Sequence, residues 1–180
     1  MGKKEIDLKE LYEKAKAFAE NAHKGQVRKY DGSEYITHPI AVAELIRNHV
    51  EGYSEAMVAA ALLHDVIEDC GVTLTTLENE FPEPVPTMVW WLSNPSKKFP
   101  GMNRKDRKRM DLNHLKYAPP DVMTVKLADL IHNSGSIIEC DPKFAEVWVA
   151  EKAALVEHFG DGDPVLYKMA KGIVDNYYGA

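Results

Sequence analysis

The sequence predicts one compact all-α domain that spans residues 1–180. Apolar residues recur at intervals of three and four along most of the chain, which is the spacing of a helix that buries one face. No segment alternates between apolar and polar residues over the length of a β-strand. The chain also lacks internal repeats and any low-complexity linker, and its 180 residues suffice for one substantial core.

Capping residues and helix breakers divide the first half of the chain into helices. Gly25 ends the first helix, and Pro39 suits the first turn of the second. Ser54 is a suitable N-cap for the third helix, and Thr73 for a short fourth one. The predicted helices cover about residues 8–24, 38–50, 54–70, 73–80 and 85–92.

In the second half, the prolines and the glycine within residues 93–102 predict a loop. A basic helix follows, and Pro-Pro at 119–120 and Asp-Pro at 141–142 each begin another helix. A turn rich in Gly and Asp over residues 160–164 precedes the last helix. The predicted helices cover about residues 103–116, 122–139, 142–159 and 165–177.

Composition and charge exclude several classes of protein. The net charge is −6, which argues against a general nucleic-acid-binding protein. No apolar stretch reaches the length of a membrane span, and residues 1–7 lack the apolar core of a signal peptide. Cys70 and Cys140 have no metal-finger or CxxC spacing. Ordinary reduced thiols in a cytoplasmic protein are therefore the simplest interpretation.

Two basic segments stand out in this acidic chain. Residues 97–109 carry seven Lys or Arg residues and one acid. A second group consists of His23, Lys24, Arg28 and Lys29. Such clusters predict a small, multiply charged anion as ligand. The alternative is a solvated helix face, which charge runs usually form.

His64 and Asp65 lie side by side in an apolar run, Ala59–Asp69, which predicts a mostly buried helix. Burying an ionisable pair is costly unless something compensates for it, and a bound cation does so. Glu68 and Asp69 follow four residues after this pair, so each lies one helical turn beyond its counterpart. We favour a functional site here over the alternative, a polar stripe on the helix surface.

Two further segments offer ligands of the same kind. His38 lies at the start of a predicted helix, and Asp129 lies among aliphatic residues of another. Each has an ordinary alternative: a helix-capping or core histidine, and an acid paired with Lys126. Together with His64 and Asp65 they give a set of two histidines and two acids, which suits a hard or borderline divalent cation.

The order of these residues resembles that of the HD-domain metal-dependent phosphohydrolases, and three motifs narrow the resemblance to hydrolases of the RelA/SpoT type. Residues 28–39 resemble the R-[KR]-x-x-G-x-P-Y-x-x-H-P motif of that family, with Glu34 in place of the proline before the tyrosine. Residues 60–69 resemble A-A-L-L-H-D-x-x-E-D, and residues 125–133 resemble V-K-L-A-D-x-x-H-N. The resemblance implies a single HD-domain helical fold of the small stand-alone form.

The resemblance also implies one Mn²⁺ ion, or another divalent cation, and the residues around it. The implied metal ligands are His38, His64, Asp65 and Asp129. The residues implied to handle the attacking water, which the metal activates, are Glu68 and Asp69. The implied substrate-binding residues are Arg28 and Lys29 at the base and phosphates and Asn133 near the sugar.

The function that the resemblance implies is hydrolysis of guanosine-3′,5′-bis(diphosphate) at its 3′ pyrophosphate. Gly135 stands where the family has an arginine, which leaves open an HD-type phosphatase acting on NADPH or on a nucleoside mono- or triphosphate. A third hypothesis is a non-catalytic nucleotide-sensing module, although Glu68 and Asp69 argue against it. The expected partner is a small phosphorylated nucleotide, with neither nucleic acid nor membrane. The sequence does not predict the oligomeric state.

Overall fold

The computed structural model describes residues 8–179, and the regular structure of these residues is helical, apart from one isolated bridge between Val27 and Glu34. The predicted all-α fold class is confirmed. The prediction about a signal peptide concerns residues 1–7, which lie outside the described residues, as does Ala180.

The described chain divides into two compact units. One consists of the described residues up to Arg28 together with Gly32–Ser93, and the other of Lys29–Asp31 together with the described residues from Asn94 onward. One domain over residues 1–180 stays a prediction.

The first unit is built around a helix whose side chains are almost all buried. Its described helices are α1 (Leu8–Ala22), α2 (Thr37–His49), α3 (Glu55–Leu63), α4 (Val66–Cys70), α5 (Leu74–Glu80) and α6 (Val85–Leu92). Every residue of α3 from Met57 to Leu63 is buried, and α3 packs against α1, α2 and α6. A helix that is apolar on every side is stable only when it is enclosed in this way.

The predicted N-caps of α3 and α5 are confirmed, whereas α1 ends at Ala22, before the predicted end at Gly25. The Ser54 hydroxyl accepts a hydrogen bond from the Met57 amide at 3.1 Å and caps α3. The Thr73 hydroxyl does the same for the Thr76 amide at 3.1 Å and caps α5. Gly71 ends α4 with a φ of 69°, a left-handed conformation that costs glycine little.

The prediction of one continuous helix over residues 54–70 is wrong, because the chain forms two helices there. α3 ends at Leu63 and α4 begins at Val66. The Nδ1 atom of His64 donates a hydrogen bond of 2.7 Å to the Ala61 carbonyl, an acceptor that a continuous helix would offer to the amide of Asp65. His64 and Asp65 therefore lie at a joint between two helices rather than inside one.

The second unit contains a 3₁₀ helix and four longer helices among its described residues. They are the 3₁₀ helix Pro95–Lys98, α7 (Arg104–Leu115), α8 (Pro120–Cys140), α9 (Pro142–Val156) and α10 (Pro164–Gly179). α8 packs against α9 and α10, and α7 packs against α9. α8 is the longest of the described helices, yet neither it nor any other of them has both the length and the apolar character needed to cross a membrane.

The 3₁₀ helix lies within residues 93–102, for which a loop is predicted. Asp111, which is buried on α7, explains the difference. Its carboxylate accepts hydrogen bonds from the Ser96 amide at 3.1 Å and from the Ser96 hydroxyl at 2.9 Å. These two bonds hold the segment in an ordered turn that the local sequence does not indicate.

Candidate metal centre

His38, His64 and Asp65 bring three potential metal ligands together in the first unit. Their ligand atoms all lie within 4.8 Å of one another. Oδ2 of Asp65 is 3.0 Å from Nε2 of His64 and 3.8 Å from Nε2 of His38. Two imidazole nitrogens and a carboxylate oxygen form a donor set that suits divalent cations. These three residues can therefore hold a metal ion.

The elements of the first unit position the two imidazoles rigidly. His38 lies in the first turn of α2 and His64 directly follows α3. Both rings are only 1% exposed, and their centroids are 5.0 Å apart with an interplanar angle of 74°. Since the surroundings of both rings are packed, neither imidazole can turn away without disturbing the core.

The hydrogen bond from His64 to the Ala61 carbonyl also decides which imidazole nitrogen can bind a metal. Because a carbonyl only accepts, Nδ1 of His64 carries the proton. Nε2 then has the lone pair, and Nε2 is the nitrogen that lies beside Asp65. Metal-binding histidines are commonly held by such a bond from the other ring nitrogen.

Tyr35 supports the carboxylate, and its role is absent from the predicted site residues. Its hydroxyl donates a hydrogen bond of 2.5 Å to Oδ2 of Asp65. The Tyr35 ring stacks on His23 with centroids 4.6 Å apart and meets the edge of His38 at 5.8 Å. The tyrosine in the Y-x-x-H-P part of the motif is the signal from which this contact could have been predicted.

His23 is part of this support rather than of a basic surface group. The side chain is only 2% exposed, so it differs from Lys24 and Lys29, the exposed members of the basic group predicted from the sequence. Its Nδ1 lies 2.8 Å from the amide oxygen of Gln26, and the Gln26 amide nitrogen donates to the Asp69 carbonyl at 3.1 Å. His23 and Gln26 thus connect α1 to α4 behind Tyr35.

Glu68 and Asp69 lie in α4, directly after the clustered ligands. The Asp69 amide donates to the Asp65 carbonyl at 2.9 Å, so Asp69 lies one helical turn beyond Asp65, as the spacing predicts. The spacing of Glu68 from His64, however, extends across the joint between α3 and α4. Glu68 is half-buried and Asp69 is exposed. The role of these two acids in handling water stays a prediction.

Asp129 lies in the second unit, on α8, and is buried. Its Oδ2 is 3.0 Å from Nζ of Lys126, so the ion pair considered as the ordinary alternative is present. Its Oδ1 accepts a hydrogen bond of 2.7 Å from Asn133. Each carboxylate oxygen has a second lone pair, and a role as metal ligand stays a prediction. So does the placement of Asn133 near a sugar.

Arg28 and Lys29 have different surroundings. Arg28 is half-buried, and its backbone amide donates to the Ser33 carbonyl at 2.8 Å. Lys29 is exposed, and its Nζ lies 3.0 Å from Oδ2 of Asp141. Hydrogen bonding to Asp141 raises the pKa of Lys29, and the same bond lowers the pKa of Asp141. Both groups are therefore charged at neutral pH, and binding of substrate by Lys29 stays a prediction.

The basic segment 97–109 is partly neutralised by acids. Arg104 forms two hydrogen bonds of 2.8 Å with Glu151, and Arg109 lies 3.0 Å from Asp106. These pairs agree with a solvated, ion-paired helix face for that part of α7.

Comparisons with known proteins agree with this geometry. The profile of the HD domain family matches residues 15–156, a range that includes the three clustered residues. The guanosine-3′,5′-bis(diphosphate) 3′-pyrophosphohydrolase MESH1 of Danio rerio is 32% identical over 136 residues, which are 75% of this chain and 72% of that protein. The protein of the same name from Homo sapiens is 35% identical over 128 residues, which are 70% of this chain and 69% of that one.

The fold is also similar to that of a solved structure. A metazoan orthologue of SpoT, described as hydrolysing ppGpp, matches with a TM-score of 0.83 and 20% sequence identity. The match covers 94% of this chain and 96% of that one. At this identity, the likeness shows a shared fold.

Proposed function

Since this chain belongs to the HD domain family, and within it to the group of RelA/SpoT-type hydrolases, we propose that it removes pyrophosphate from the 3′ position of guanosine-3′,5′-bis(diphosphate). The observation that carries this proposal is the cluster of the buried His38 and His64 with the half-buried Asp65, which has the donor atoms of a metal site. Relatives of similar length are named for this reaction.

The proposed cofactor is Mn²⁺. His38, His64 and Asp65 would hold the ion, with Asp129 as a fourth ligand. The donor set supports this assignment because it combines imidazole with carboxylate and contains no thiolate, which would favour zinc. When bound, such an ion lowers the pKa of a water molecule and offsets negative charge at the phosphorus.

Glu68 and Asp69 are the proposed groups that orient the attacking water and accept its proton. Both follow the metal ligands on α4, where a carboxylate can reach water without replacing a ligand of the ion. The hydrogen bond from the Gln26 side chain to the Asp69 carbonyl supports this role, because it limits the movement of that turn of α4. Glu68 is the better candidate for the base, because it is half-buried whereas Asp69 is exposed to bulk water.

The proposed contacts to the nucleotide are Arg28 and Lys29 at the base and phosphates and Asn133 near the sugar. In this proposal, Lys29 exchanges its partner Asp141 for a phosphate. Asp141→Asn tests that exchange, because Asn keeps the N-cap of α9 but removes the charge that pairs with Lys29. We expect a lower KM for the substrate in this variant, and a KM that does not fall would count against Lys29 as a phosphate ligand.

The deciding experiment is a nucleotide panel with metal-free protein reloaded with Mn²⁺, Mg²⁺ or Zn²⁺. We expect fastest release of pyrophosphate from guanosine-3′,5′-bis(diphosphate) with Mn²⁺. His64→Ala is expected to abolish metal loading and hydrolysis, whereas His158→Ala, which changes an exposed histidine, keeps both. If His64→Ala hydrolysed the substrate at the wild-type rate, the proposed site would be wrong.

Gly135 favours a second candidate substrate. It lies on α8, and no atom lies within 4 Å of the place where its Cβ atom would be. The space next to Gly135, where the family has an arginine, is therefore open. A substrate with a different arrangement of phosphates, such as NADPH or a nucleoside mono- or triphosphate, would then be hydrolysed. Phosphate release from these nucleotides in the same panel would favour this candidate, and metal binding without hydrolysis of any nucleotide would favour a sensing module.

A cytoplasmic location is also proposed. Cys70 and Cys140 are both free thiols, which is usual in a reducing compartment. The net charge of −6 supports a small phosphorylated nucleotide as partner rather than a nucleic acid.

A further inference from the structure

A cavity of about 220 Å³ lies in the second unit and is lined by residues of α7, α8 and α9. Its volume far exceeds the roughly 10–15 Å³ that one water molecule requires. It is smaller than the roughly 300–1,000 Å³ of sites for drug-sized molecules. Four basic side chains line it, namely Lys108, Arg109, Lys126 and Lys152. The size therefore suits a small solute, and the lining favours an anion.

The acids that line the cavity are already engaged by other groups. Asp111 accepts hydrogen bonds from both the amide and the hydroxyl of Ser96. Glu151 makes two hydrogen bonds with Arg104, each of 2.8 Å. Four cations and two acids line the cavity, and one of these acids, Glu151, is paired with Arg104 outside the lining, so the cavity has an excess of positive charge.

Three of the four cations have an acidic partner. Lys126 lies 3.0 Å from Asp129, and Arg109 lies 3.0 Å from Asp106. Lys108 lies 3.5 Å from Asp111, which also serves Ser96. Each of these three cations is therefore paired with a carboxylate of the second unit.

Lys152 is different from the other three cations. Among residues 8–179, no carboxylate forms an ion pair with it, and its ammonium group lies 5.3 Å from the centroid of the Trp148 ring. Burial lowers the pKa of Lys152 to about 8, and the nearby charges of Lys126 and Lys108 add to this effect more than Asp129 and Glu151 oppose it. A desolvated cation among other cations is unfavourable until a negative charge joins it.

We propose that this cavity binds a compact phosphate-type anion, inorganic phosphate or pyrophosphate, and that Lys152 is the side chain on which binding depends. Such an anion supplies the missing negative charge and accepts charge-assisted hydrogen bonds from lysine and arginine together. Arg109 has 71% of its side chain exposed and Lys108 has 38%, so a charged solute can reach the cavity from solvent. Every residue of the site belongs to one unit.

The test is titration of the metal-free full chain with phosphate and with pyrophosphate. Calorimetry measures the binding, and the melting temperature is measured at each anion concentration. Chloride at matched ionic strength corrects for general screening. We expect saturable binding and a higher melting temperature for the wild type. Lys152→Met should weaken binding by about 10-fold or more, since it removes a charged hydrogen-bond donor, and Lys152→Arg, which keeps the charge, should restore it.

Lys171→Met is the matched control, because it removes an exposed lysine paired with Asp175 on α10 and should bind as the wild type does. Equal affinity of Lys152→Met and wild type would overturn the proposal. So would binding that is lost in His64→Ala but kept in Lys152→Met, because the anion would then bind at the metal centre. Hydrolysis by the manganese-loaded enzyme tests the proposed function separately, and we expect Lys152→Met to retain it.

Discussion

Replacing Tyr35 with Phe removes one hydroxyl group from the candidate metal centre and leaves the ring in place. That hydroxyl donates the 2.5 Å hydrogen bond to Oδ2 of Asp65. The stacking of Tyr35 on His23 needs only the ring, so Phe preserves it. The variant therefore isolates the contribution of a single hydrogen bond to the position of the carboxylate.

The magnitude follows from the kind of bond. Hydrogen bonds to charged groups contribute about 1.5–3 kcal/mol, and loss of that amount weakens an equilibrium by roughly 10- to 100-fold. Removing a residue that forms a hydrogen bond with a metal ligand lowers the affinity for the metal by about 10- to 100-fold. We therefore expect the Kd for Mn²⁺ to rise by about one to two orders of magnitude in Tyr35→Phe.

The assay is titration of metal-free protein with Mn²⁺, with free Mn²⁺ measured by electron paramagnetic resonance. Tyr117→Phe is the control, because it makes the same chemical change at a tyrosine that is 74% exposed. At saturating Mn²⁺, the kcat of Tyr35→Phe should recover most of the wild-type value, since the ion then holds Asp65. An unchanged Kd in Tyr35→Phe would refute the reasoning that this bond orients the carboxylate.

Three further predictions concern stability, measured by urea denaturation. Asp111→Ala leaves the amide and hydroxyl of Ser96 without their buried acceptor and should lower the free energy of unfolding by about 3 kcal/mol; a loss below about 1 kcal/mol would contradict this. Ser54→Ala removes the cap of α3 and should cost about 1 kcal/mol, while Ser54→Asp should cost little. The pKa of Lys152 is lowered from 10.5 to about 8, so the unfolded chain binds more protons between these values and stability from this group rises with pH there. Lys152→Met should therefore be more stable than wild type near pH 7, by up to about 3 kcal/mol in phosphate-free buffer, and the difference should shrink near pH 10.

Local sequence signals predict most of the helices because they act over one turn. Ser54 and Thr73 predict the starts of α3 and α5 correctly, since a side-chain oxygen caps an amide three residues later. The end of α3 has no such signal. Neither Gly nor Pro marks it, and the cause is a bond between the His64 ring and the Ala61 carbonyl, which depends on how the imidazole is packed.

The clustered ligands are predictable because the motif places reactive residues in an apolar setting. His38, His64 and Asp65 come together as the pattern indicates. The contact between His23 and Tyr35 joins residues 12 positions apart and depends on the packing of α1 against its neighbours, so periodicity alone cannot indicate it. Lys152 carries no signal in the sequence either, because packing alone decides whether a carboxylate among residues 8–179 forms an ion pair with it.

The joint between α3 and α4 has an electrostatic consequence. The peptide dipoles of a helix sum to a partial negative charge at its C-terminal end. α3 ends at Leu63 and α4 begins at Val66, so the negative end of one helix and the positive end of the next both lie beside His64 and Asp65. The negative end favours a cation there and the positive end favours the ionised carboxylate of Asp65, each by about 0.3–1 kcal/mol. A helix that continued through Asp65 would move both ends away from these residues, so the interruption itself favours an ionised carboxylate beside a cation.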